Sequence, residues 1–416
     1  MEKAGHETDV SILSSVWRLI TQLAIPLLLL TSLSCSRVAE LPTAREGLFN
    51  LGDTLTLGLP RLAEAERICV YRSDGEGYVN NVLLSKFRGV YYCMWQSSPR
   101  DEDSPDTHVM FATSPNGRTW TEPCLLAAPT DSCFVSPGGW LQRGDSLAAV
   151  LNYVDAADRS RGGTAWARVT GDGSTWTAPR PLLMAEGTPM DGILEQDPLL
   201  LPGGRTIGAA HFRPGLQVRP IYTDDPSGLK GWRAAQFPAG DGNPLEPSQF
   251  SRTDGTLVMI FRDQASSFVK LASISTDKGE SWSRTALTGI PDSRSKQCAG
   301  NVPDGRSFMV WNPTGSKSRR VLVLALSDDG VCFDSAWLIA GPSDLQPRRH
   351  EGRYKTLGYN YPKAFVEDDA LWIALSENKE DAVLFRVPLS TPEATPPSLS
   401  AEPESRAGCQ GDCCRT

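Results

Sequence analysis

The sequence predicts an all-β fold, a six-bladed β-propeller whose blades are four-stranded antiparallel sheets. Three observations predict it: a short turn motif recurs at a nearly constant spacing, apolar strand pairs lie between its copies, and turn-forming residues are frequent. The 416 residues include 37 glycines and 31 prolines, a composition that favours short strands and many turns over long helices.

The recurring motif is a hydroxyl residue, an acidic or amide residue, a glycine and a trailing aromatic residue. Its copies lie at residues 114–120, 170–176, 275–282 and 327–333, with a degenerate copy at 223–232, and successive copies start 56, 53, 52 and 52 residues apart. The Asp or Asn can accept backbone N–H bonds and the Gly can take a positive φ. We therefore interpret the motif as a structural turn, whose aromatic residue fills the gap between neighbouring sheets, and not as a catalytic site.

Between the copies, apolar strands flank tight turns, as in residues 199–212, 250–263 and 364–378. Such alternation around Gly-Gly or Asp-Gly is typical of β-hairpins, and about 50 residues is the size of one propeller blade. The sixth unit, residues 359–389, has three evident strands and a motif-like stretch at 376–379. We expect its fourth strand to come from residues 67–71, which would close the ring.

The propeller is predicted for residues 66–390, preceded by an export signal (1–35) and a linker (36–65) and followed by a polar tail (391–416) rich in Pro and Ser and containing cysteines. The apolar run at 19–33 is short for a membrane span, which needs about 20 residues, and suits a signal peptide. Cys35 leaves a lipoprotein signal open, and an uncleaved anchor is a further alternative. We expect a secreted, periplasmic or membrane-anchored protein.

Charge and composition limit the classes of ligand and partner that the sequence predicts. A net charge of −8 gives no basic footprint for nucleic acid. With only four histidines, a histidine-built metal site is not expected, and we predict no cofactor, no metal and a monomer. Ten cysteines in an exported chain permit disulfides. Cys124 with Cys133 and Cys69 with Cys93 are candidate pairs, although the sequence does not fix the pairing.

In a propeller, the starts of the innermost strands and the ends of the second strands converge on one funnel at the channel mouth. Many residues predicted at these places are polar or ionisable, which a structural strand end does not require. They are Asn80, Asn81, Glu195, Asp197, Glu246, Asn301, Tyr359 and Tyr361 at the strand starts, and Gln96, His211, Arg213, Arg262 and Asn312 at the second-strand ends.

The recurring motif and the six units resemble the sialidase superfamily with its Asp-box repeats, over roughly residues 67–389. The resemblance implies a tyrosine nucleophile activated by a glutamate, an aspartate acid/base and three arginines that clamp the substrate carboxylate. A neutral nucleophile avoids repulsion by that carboxylate, and the planar arginine fork pairs with it bidentately.

The resemblance transfers well to the second half of the chain. Glu246, followed by Pro247, matches the family's glutamate, and Arg262 matches its second arginine, 16 residues later. Arg319, eight residues before Ser327, matches the third arginine, with Arg320 as the alternative. Tyr361 starts the last blade, where the family places its nucleophile, with Tyr359 as the alternative.

The first half departs from the family pattern. Where the family has its first arginine, the chain reads Tyr-Val-Asn-Asn-Val at residues 78–82. The acid/base falls in a loop with several acidic residues, of which we rank Asp103 first, then Asp106 and Asp101. The loop at 348–355 offers a substitute cation, for which we choose Arg353. This departure leaves the identity of the acidic sugar open, whereas the resemblance still implies the fold and the hydrolase class.

These residues favour an exo-acting, sialidase-like glycoside hydrolase that releases a terminal acidic sugar. Tyr361, Glu246 and Asp103 would be catalytic, and the remaining candidates would bind substrate: Arg262, Arg319, Arg353, Asn80, Asp197, His211, Arg213, Asn312 and Tyr359. Two alternatives stay open because the fold does not decide function: a uronate lyase using His211 and Tyr361 as the proton-abstracting pair, and a non-catalytic glycan-binding propeller.

Overall fold

The computed structural model describes residues 40–75, 77–157, 162–214 and 216–389. The predicted export signal, Cys35 and the C-terminal tail lie outside the described residues. No helix in the described part of the chain is long and apolar enough to cross a membrane.

The regular secondary structure of the described chain is almost entirely β-strand, because short alternating segments are separated by Gly-, Asn- and Asp-containing turns. The strands are β1 (Thr43–Ala44), β2 (Glu66–Arg72), β3 (Tyr78–Phe87), β4 (Val90–Ser98), β5 (His108–Ser114), β6 (Cys124–Ala127), β7 (Cys133–Arg143), β8 (Ser146–Asp155), β9 (Gly163–Thr170), β10 (Arg180–Pro181), β11 (Gly192–Leu194), β12 (Leu199–Leu200), β13 (Thr206–Phe212), β14 (Gln217–Thr223), β15 (Arg233–Ala234), β16 (Pro244–Ser251), β17 (Leu257–Asp263), β18 (Val269–Ser275), β19 (Ala286–Pro291), β20 (Cys298–Asn301), β21 (Ser307–Trp311), β22 (Leu322–Ser327), β23 (Cys332–Phe333), β24 (Ser335–Ala340), β25 (Tyr359–Glu367), β26 (Ala370–Glu377) and β27 (Asp381–Pro388). One short 3₁₀ helix, Pro342–Asp344, follows β24.

All of these strands except β1 and β23 form six antiparallel sheets, which are the blades of a six-bladed β-propeller, as predicted. Blade 1 is β3–β6, blade 2 is β7–β10, blade 3 is β11–β15, blade 4 is β16–β19, blade 5 is β20, β21, β22 and β24, and blade 6 is β25, β26, β27 and β2. Blade 3 has five strands because its first strand is interrupted between β11 and β12, which both pair with β13.

The ring is closed by a strand from the N-terminal side of the propeller. β2 pairs antiparallel with β27, with Ile68 opposite Leu384, so the first and last parts of the propeller share blade 6. The predicted closing strand, residues 67–71, lies within β2. This confirms that residues distant in sequence meet at one ring.

The described core has six large apolar clusters, each between two neighbouring blades, and a seventh small one of Phe134, Val154 and Ile193 between blades 2 and 3. All five trailing aromatic residues of the turn motif lie in these clusters or pack against them: Trp120 between blades 6 and 1, Trp176 between 1 and 2, Trp232 between 2 and 3, Trp282 between 3 and 4, and Phe333 between 4 and 5. The remaining large cluster joins blade 5 to blade 6. Each sheet is therefore covered on both faces, as a closed ring requires.

The recurring turns join the third strand of a blade to its outer edge, at the end opposite to the starts of the innermost strands. In four copies the glycine N–H donates to the hydroxyl of the first motif residue: Gly117 to Ser114 (2.8 Å), Gly173 to Thr170 (2.8 Å), Gly279 to Ser275 (2.9 Å) and Gly330 to Ser327 (2.9 Å). All four glycines have positive φ. The motif-like stretch at 376–379 is different, because it lies in the hairpin turn between β26 and β27, at the other end of blade 6.

The segment predicted as a linker packs against the propeller over residues 41–65. β1 pairs parallel with β23, and Leu48, Leu57 and Leu59 join the cluster between blades 4 and 5. The ring of Phe49 contacts that of Trp311 edge-on, with centroids 5.6 Å apart. The apolar residues of this segment cover the edges of blades 4 and 5, so this part of the chain is not a free linker.

The cysteine pairs suggested by the sequence do not form. All six cysteines in the described part of the chain are free thiols. Cys69 lies in β2 of blade 6 and Cys93 in β4 of blade 1, and Cys124 and Cys133 also belong to different blades. Strand assignment therefore separates both pairs, although they are near in sequence.

Candidate active site

Three innermost strands carry the same backbone irregularity at the mouth of the channel. The pairing register shifts between Asn80 and Leu83 in β3, between Leu245 and Ser248 in β16, and between Asn360 and Lys363 in β25. In each bulge one residue other than glycine has a positive φ: Asn81 (50°), Glu246 (48°) and Tyr361 (57°). Such conformations cost about 1–3 kcal/mol each and concentrate at functional sites, and bulges redirect side chains next to active sites.

Four residues that the sequence placed in one pocket are brought together there. The Arg262 Nη1 atom lies 2.6 Å from Glu246 Oε2 and donates a hydrogen bond to the Tyr361 hydroxyl at 3.4 Å. The guanidinium carbon of Arg319 lies 5.3 Å from the centroid of the Tyr361 ring. Blades 4, 5 and 6 therefore contribute to one cluster around Tyr361.

Three further charged residues belong to this cluster and were missed by sequence reasoning. The ammonium groups of Lys296 and Lys379 lie 4.6 Å and 5.4 Å from the Tyr361 ring centroid. Glu102 accepts a hydrogen bond from Lys379 Nζ at 2.8 Å. Glu102 lies on the loop between β4 and β5, Lys296 precedes β20, and Lys379 lies in the hairpin turn between β26 and β27. The sequence pattern pointed only to strand starts and second-strand ends.

The charges of the cluster pair off with one exception. Arg262 pairs with Glu246, Lys379 with Glu102, and Lys296 with the carboxylate of Glu195. The side chain of Arg319 instead donates to the neutral amide oxygen of Asn360 at 3.0 Å, and it forms no ion pair with any described residue. The described cluster thus has one uncompensated positive charge, which suits a ligand with a single anionic group.

The protonation states at Tyr361 follow from burial and these charges. Burial and the charge of Glu246 raise the pKa of Tyr361, so the phenol is neutral in the free protein. Burial also acts to raise the pKa of Glu246, but the positive charges of Arg262 and Lys296 outweigh it and lower that pKa to about 2. A neutral phenol thus lies in the same cluster as a carboxylate that is ionised and able to accept a proton.

Residues outside β16 hold the backbone of the bulge at Glu246 by hydrogen bonds. The Glu246 N–H donates to His211 Nε2 at 3.1 Å, and Gln297 Nε2 donates to the Glu246 carbonyl at 3.1 Å. Lys270, fully buried, donates to Gln297 Oε1 at 2.7 Å. Burial lowers the pKa of His211, which keeps its ring neutral and able to accept the bond. His211 therefore positions Glu246 through its backbone.

Several other predicted residues have structural roles. Asn312 is fully buried and donates to the carbonyls of Val321 (2.9 Å) and Tyr359 (3.2 Å). Tyr359 packs between blades 5 and 6, and its hydroxyl donates to the Gly341 carbonyl at 3.0 Å. Asn80 is buried and donates to Glu102 Oε1 at 3.2 Å, so it acts on the site through that carboxylate.

Arg213, Arg353 and Asp103 lie at exposed positions. Arg213 pairs with Asp191 at 3.0 Å. Arg353 is exposed, and its backbone N–H donates to Asp101 at 2.6 Å. Asp103 is exposed at the tip of its loop. Glu102, which the sequence ranking passed over, is the acidic residue of this loop that pairs with a lysine of the Tyr361 cluster.

Asp197 belongs to a cavity whose lining does not include Tyr361. It lines a cavity of about 230 Å³ together with Gln249, Cys298 and Lys363. Burial raises the pKa of Asp197 to about 6, and burial with the nearby charge of Lys296 lowers the pKa of Lys363 to about 7. Lys363 also donates to the Glu195 carbonyl.

The fold and the cluster at the channel mouth define a propeller of the sialidase and BNR-repeat superfamily. A family model described as a BNR repeat-like domain matches residues 89–373, which is more than half of the chain, and the chain belongs to this family. No curated protein sequence matches the chain.

Solved structures similar to the chain include several sialidases. A protein titled "Sialidase" superposes with a TM-score of 0.63 at 18% identity, covering 84% of this chain and 35% of its own length. The Hadza microbial sialidase Hz136 superposes at 0.60 with 14% identity (76% and 66% covered), and a Trypanosoma rangeli sialidase mutant displaying trans-sialidase activity at 0.59 with 14% identity (79% and 60% covered). At these identities the likeness shows the fold, and this chain spans about a third of the length of the first of these proteins.

Proposed function

We propose that the protein is an exo-acting glycoside hydrolase that releases a terminal acidic sugar, sialic acid or a related anionic sugar, from glycans. The observation that carries the proposal is the contact of Arg262 with both Glu246 and the Tyr361 hydroxyl, beside an Arg319 that has no carboxylate partner among the described residues. The sialidase names of the similar structures support the same class of substrate.

In the first step, the Tyr361 oxygen forms a bond to the anomeric carbon and its proton passes to Glu246. The glycosidic bond breaks with its electron pair on the leaving oxygen, which takes a proton from a carboxyl group of the acidic loop, where we predicted Asp103. In the second step, water attacks the anomeric carbon and gives its proton to that loop carboxylate, while the tyrosine oxygen leaves and regains its proton from Glu246. Both side chains then have their starting protonation states.

The charges of the cluster fit this chemistry. Arg319 and Arg262 bind the sugar's carboxylate through charge-assisted hydrogen bonds. A carboxylate nucleophile would be repelled by the same substrate group, whereas the neutral Tyr361 phenol is not. A lyase with His211 as its base is disfavoured, because the His211 ring is 3% exposed and its Nε2 atom accepts the Glu246 N–H.

The proposal is tested by assaying the purified protein on aryl glycosides of sialic acid, of a uronic acid and of a neutral sugar. We expect release of the free acidic sugar, and Tyr361→Phe should lower kcat/KM by at least about 10³-fold, as removal of a nucleophile does. The matched control is Tyr359→Phe, which loses only the packing-associated bond to Gly341 and should stay within a few fold of wild type.

Other outcomes would overturn the proposal. An unsaturated product absorbing in the ultraviolet would identify a lyase. Glycan binding without turnover of any substrate would identify a binding propeller. Equal loss in Tyr361→Phe and Tyr359→Phe would remove Tyr361 from the role of nucleophile.

A further inference from the structure

Lys379 lies between the acidic loop and Tyr361. It is in the hairpin turn between β26 and β27, where Asn378 and Lys379 both have φ of 56°. Its side chain is 3% exposed, and its Nζ atom lies 2.8 Å from Glu102 Oε2 and 5.4 Å from the Tyr361 ring centroid. The turn thus holds an ammonium group inside the pocket instead of in solvent.

This ammonium group has hydrogen-bonding capacity left for a ligand. A lysine has three N–H donors, and Glu102 is the one acceptor that Lys379 Nζ has within the described ranges. Blade 1 contributes no cation of its own at this place, because its bulge carries Asn81, whose amide oxygen accepts from Lys296 at 3.2 Å. Lys379 therefore supplies a positive charge to the part of the pocket next to blade 1.

We propose that Lys379 binds the acidic group of the sugar and that, by doing so, it converts Glu102 into the protonated general acid of the reaction. This rests on the proposed function, because it assumes an anionic sugar at Tyr361. It names Lys379 as a specificity-determining residue and Glu102, instead of Asp103, as the loop carboxyl group that protonates the leaving oxygen.

The physical argument concerns the groups that face Glu102. These are the cations of Lys379 and Arg319, the phenols of Tyr78 and Tyr361 and the amide of Asn80. The carboxylate of Asp103 acts on Tyr78 and Lys379. Burial acts to raise the pKa of Glu102, but the charge and hydrogen bond of Lys379, the hydrogen bond of Tyr78 and the charge of Arg319 together outweigh it and keep that pKa below its usual range, so Glu102 is ionised in the free protein.

Binding of an acidic sugar reverses this balance. The sugar's carboxylate competes for the N–H donors of Lys379 and Arg319 and adds a negative charge near Glu102. Both effects raise the pKa of Glu102, which then takes a proton from solvent and can give it to the leaving glycosidic oxygen. A neutral sugar leaves Lys379 on Glu102, so the acid stays unprotonated and the sugar is not cleaved.

The experiment measures protons taken up on ligand binding. N-acetylneuraminic acid is titrated into the full chain at pH 7 by calorimetry, in two buffers with different ionisation heats. For the wild type we expect uptake approaching about one proton per sugar bound, as linkage requires when a carboxylate becomes protonated. Glu102→Gln should bind with no uptake.

Variants of Lys379 and of the exposed Arg353 show which of these two cations binds the acidic group of the sugar. Lys379→Met should weaken binding by about 10-fold to 100-fold, the effect of losing charged hydrogen bonds, and abolish proton uptake, whereas Lys379→Arg should keep uptake. Arg353→Met is the matched control and should behave as wild type. Thermal unfolding checks that each variant is folded.

The outcomes distinguish this inference from the proposed function. Binding and hydrolysis of the sugar without proton uptake by the wild type would overturn the inference and leave the proposed function standing, as would normal uptake by Glu102→Gln or Lys379→Met. Failure of the wild type to bind or hydrolyse any acidic sugar would overturn both.

Discussion

The two ends of the blades use acidic residues in opposite ways. At the turn end, Asp277 and Asp329 accept backbone N–H bonds, from Ser281 at 3.0 Å and from Val331 at 2.7 Å, within their own turns. At the channel mouth, Glu246 instead pairs with Arg262 of the next strand, and Glu102 pairs with Lys379 of the hairpin turn between β26 and β27. The turn end repeats one locally hydrogen-bonded turn in several blades, whereas the channel mouth has a single cluster to which several blades contribute.

This difference separates stability from chemistry. A turn aspartate is satisfied by its own hairpin and lies at the surface, so its loss should affect folding alone. A mouth carboxylate is satisfied by a distant cation, so removal of either partner leaves a buried charge and changes the groups offered to a ligand. Substitutions at the two ends should therefore give different combinations of stability and activity.

The largest expected effect is on stability and distinguishes the two arginines of the mouth. Arg262→Met removes the partner of Glu246, and both side chains of that pair are only 11% exposed. Breaking a buried pair by removing one partner costs about 3–5 kcal/mol. Arg319→Met leaves no described carboxylate without its partner, so it should lower the free energy of unfolding by less than about 1 kcal/mol. Both variants should lose activity on an acidic aryl glycoside. Urea unfolding and kcat/KM measure the two effects, and equal destabilisation would show that Arg319 is also paired.

A smaller effect is expected at the turn end. Asp277→Ala removes the acceptor for the Ser281 N–H and should lower the free energy of unfolding by about 1–2 kcal/mol, with activity unchanged. Asp277→Asn is the matched control, because blade 1 has Asn116 at this position and its amide oxygen accepts the N–H groups of Arg118 and Thr119 at 2.9 Å. A loss of activity in Asp277→Ala at temperatures where it stays folded would contradict the separation.

The turn end was predictable from the sequence because its interactions are local. Spacing between copies of the turn gave the blade count, and the apolar stretch at 67–71 indicated the closing strand β2. Tyr361, Glu246 and Arg262 were also predictable, since strand starts and ends converge in any propeller. The segment 41–65 was misread as a linker because its partners, such as Trp311, lie about 260 residues away in sequence.

Lys379 and Glu102 at the channel mouth were not predictable, because their partners are distant in sequence. Lys379 lies in a turn that resembles the structural motif in sequence, and only the register of β26 with β27 shows that this turn is at the mouth. Glu102 is one of several acidic residues in its loop, and its partner determines which one points inward. A signal was nevertheless present: the run Glu377-Asn378-Lys379-Glu380-Asp381 is unusually charged, and all five residues are buried.

The smallest expected effect is the acid sensitivity of the turn end. Hydrogen bonds outweigh burial and lower the pKa values of two aspartates in the folded protein. At Asp277 they come from the side chain and backbone of Ser281, and at Asp329 from the backbone of Cys332 and Val331. A carboxyl group with a lowered folded pKa contributes stability above its unfolded pKa of about 3.9, and this is lost as the pH falls through the folded pKa. Between pH 5 and pH 2, the wild type should therefore lose more stability than the Asp277→Asn/Asp329→Asn variant. The difference should be below about 1 kcal/mol per aspartate, because the groups are close to solvent. Identical pH dependence would mean that the bonds, and not the charges, of these aspartates stabilise the turns, since the asparagines keep the acceptors and remove only the charge.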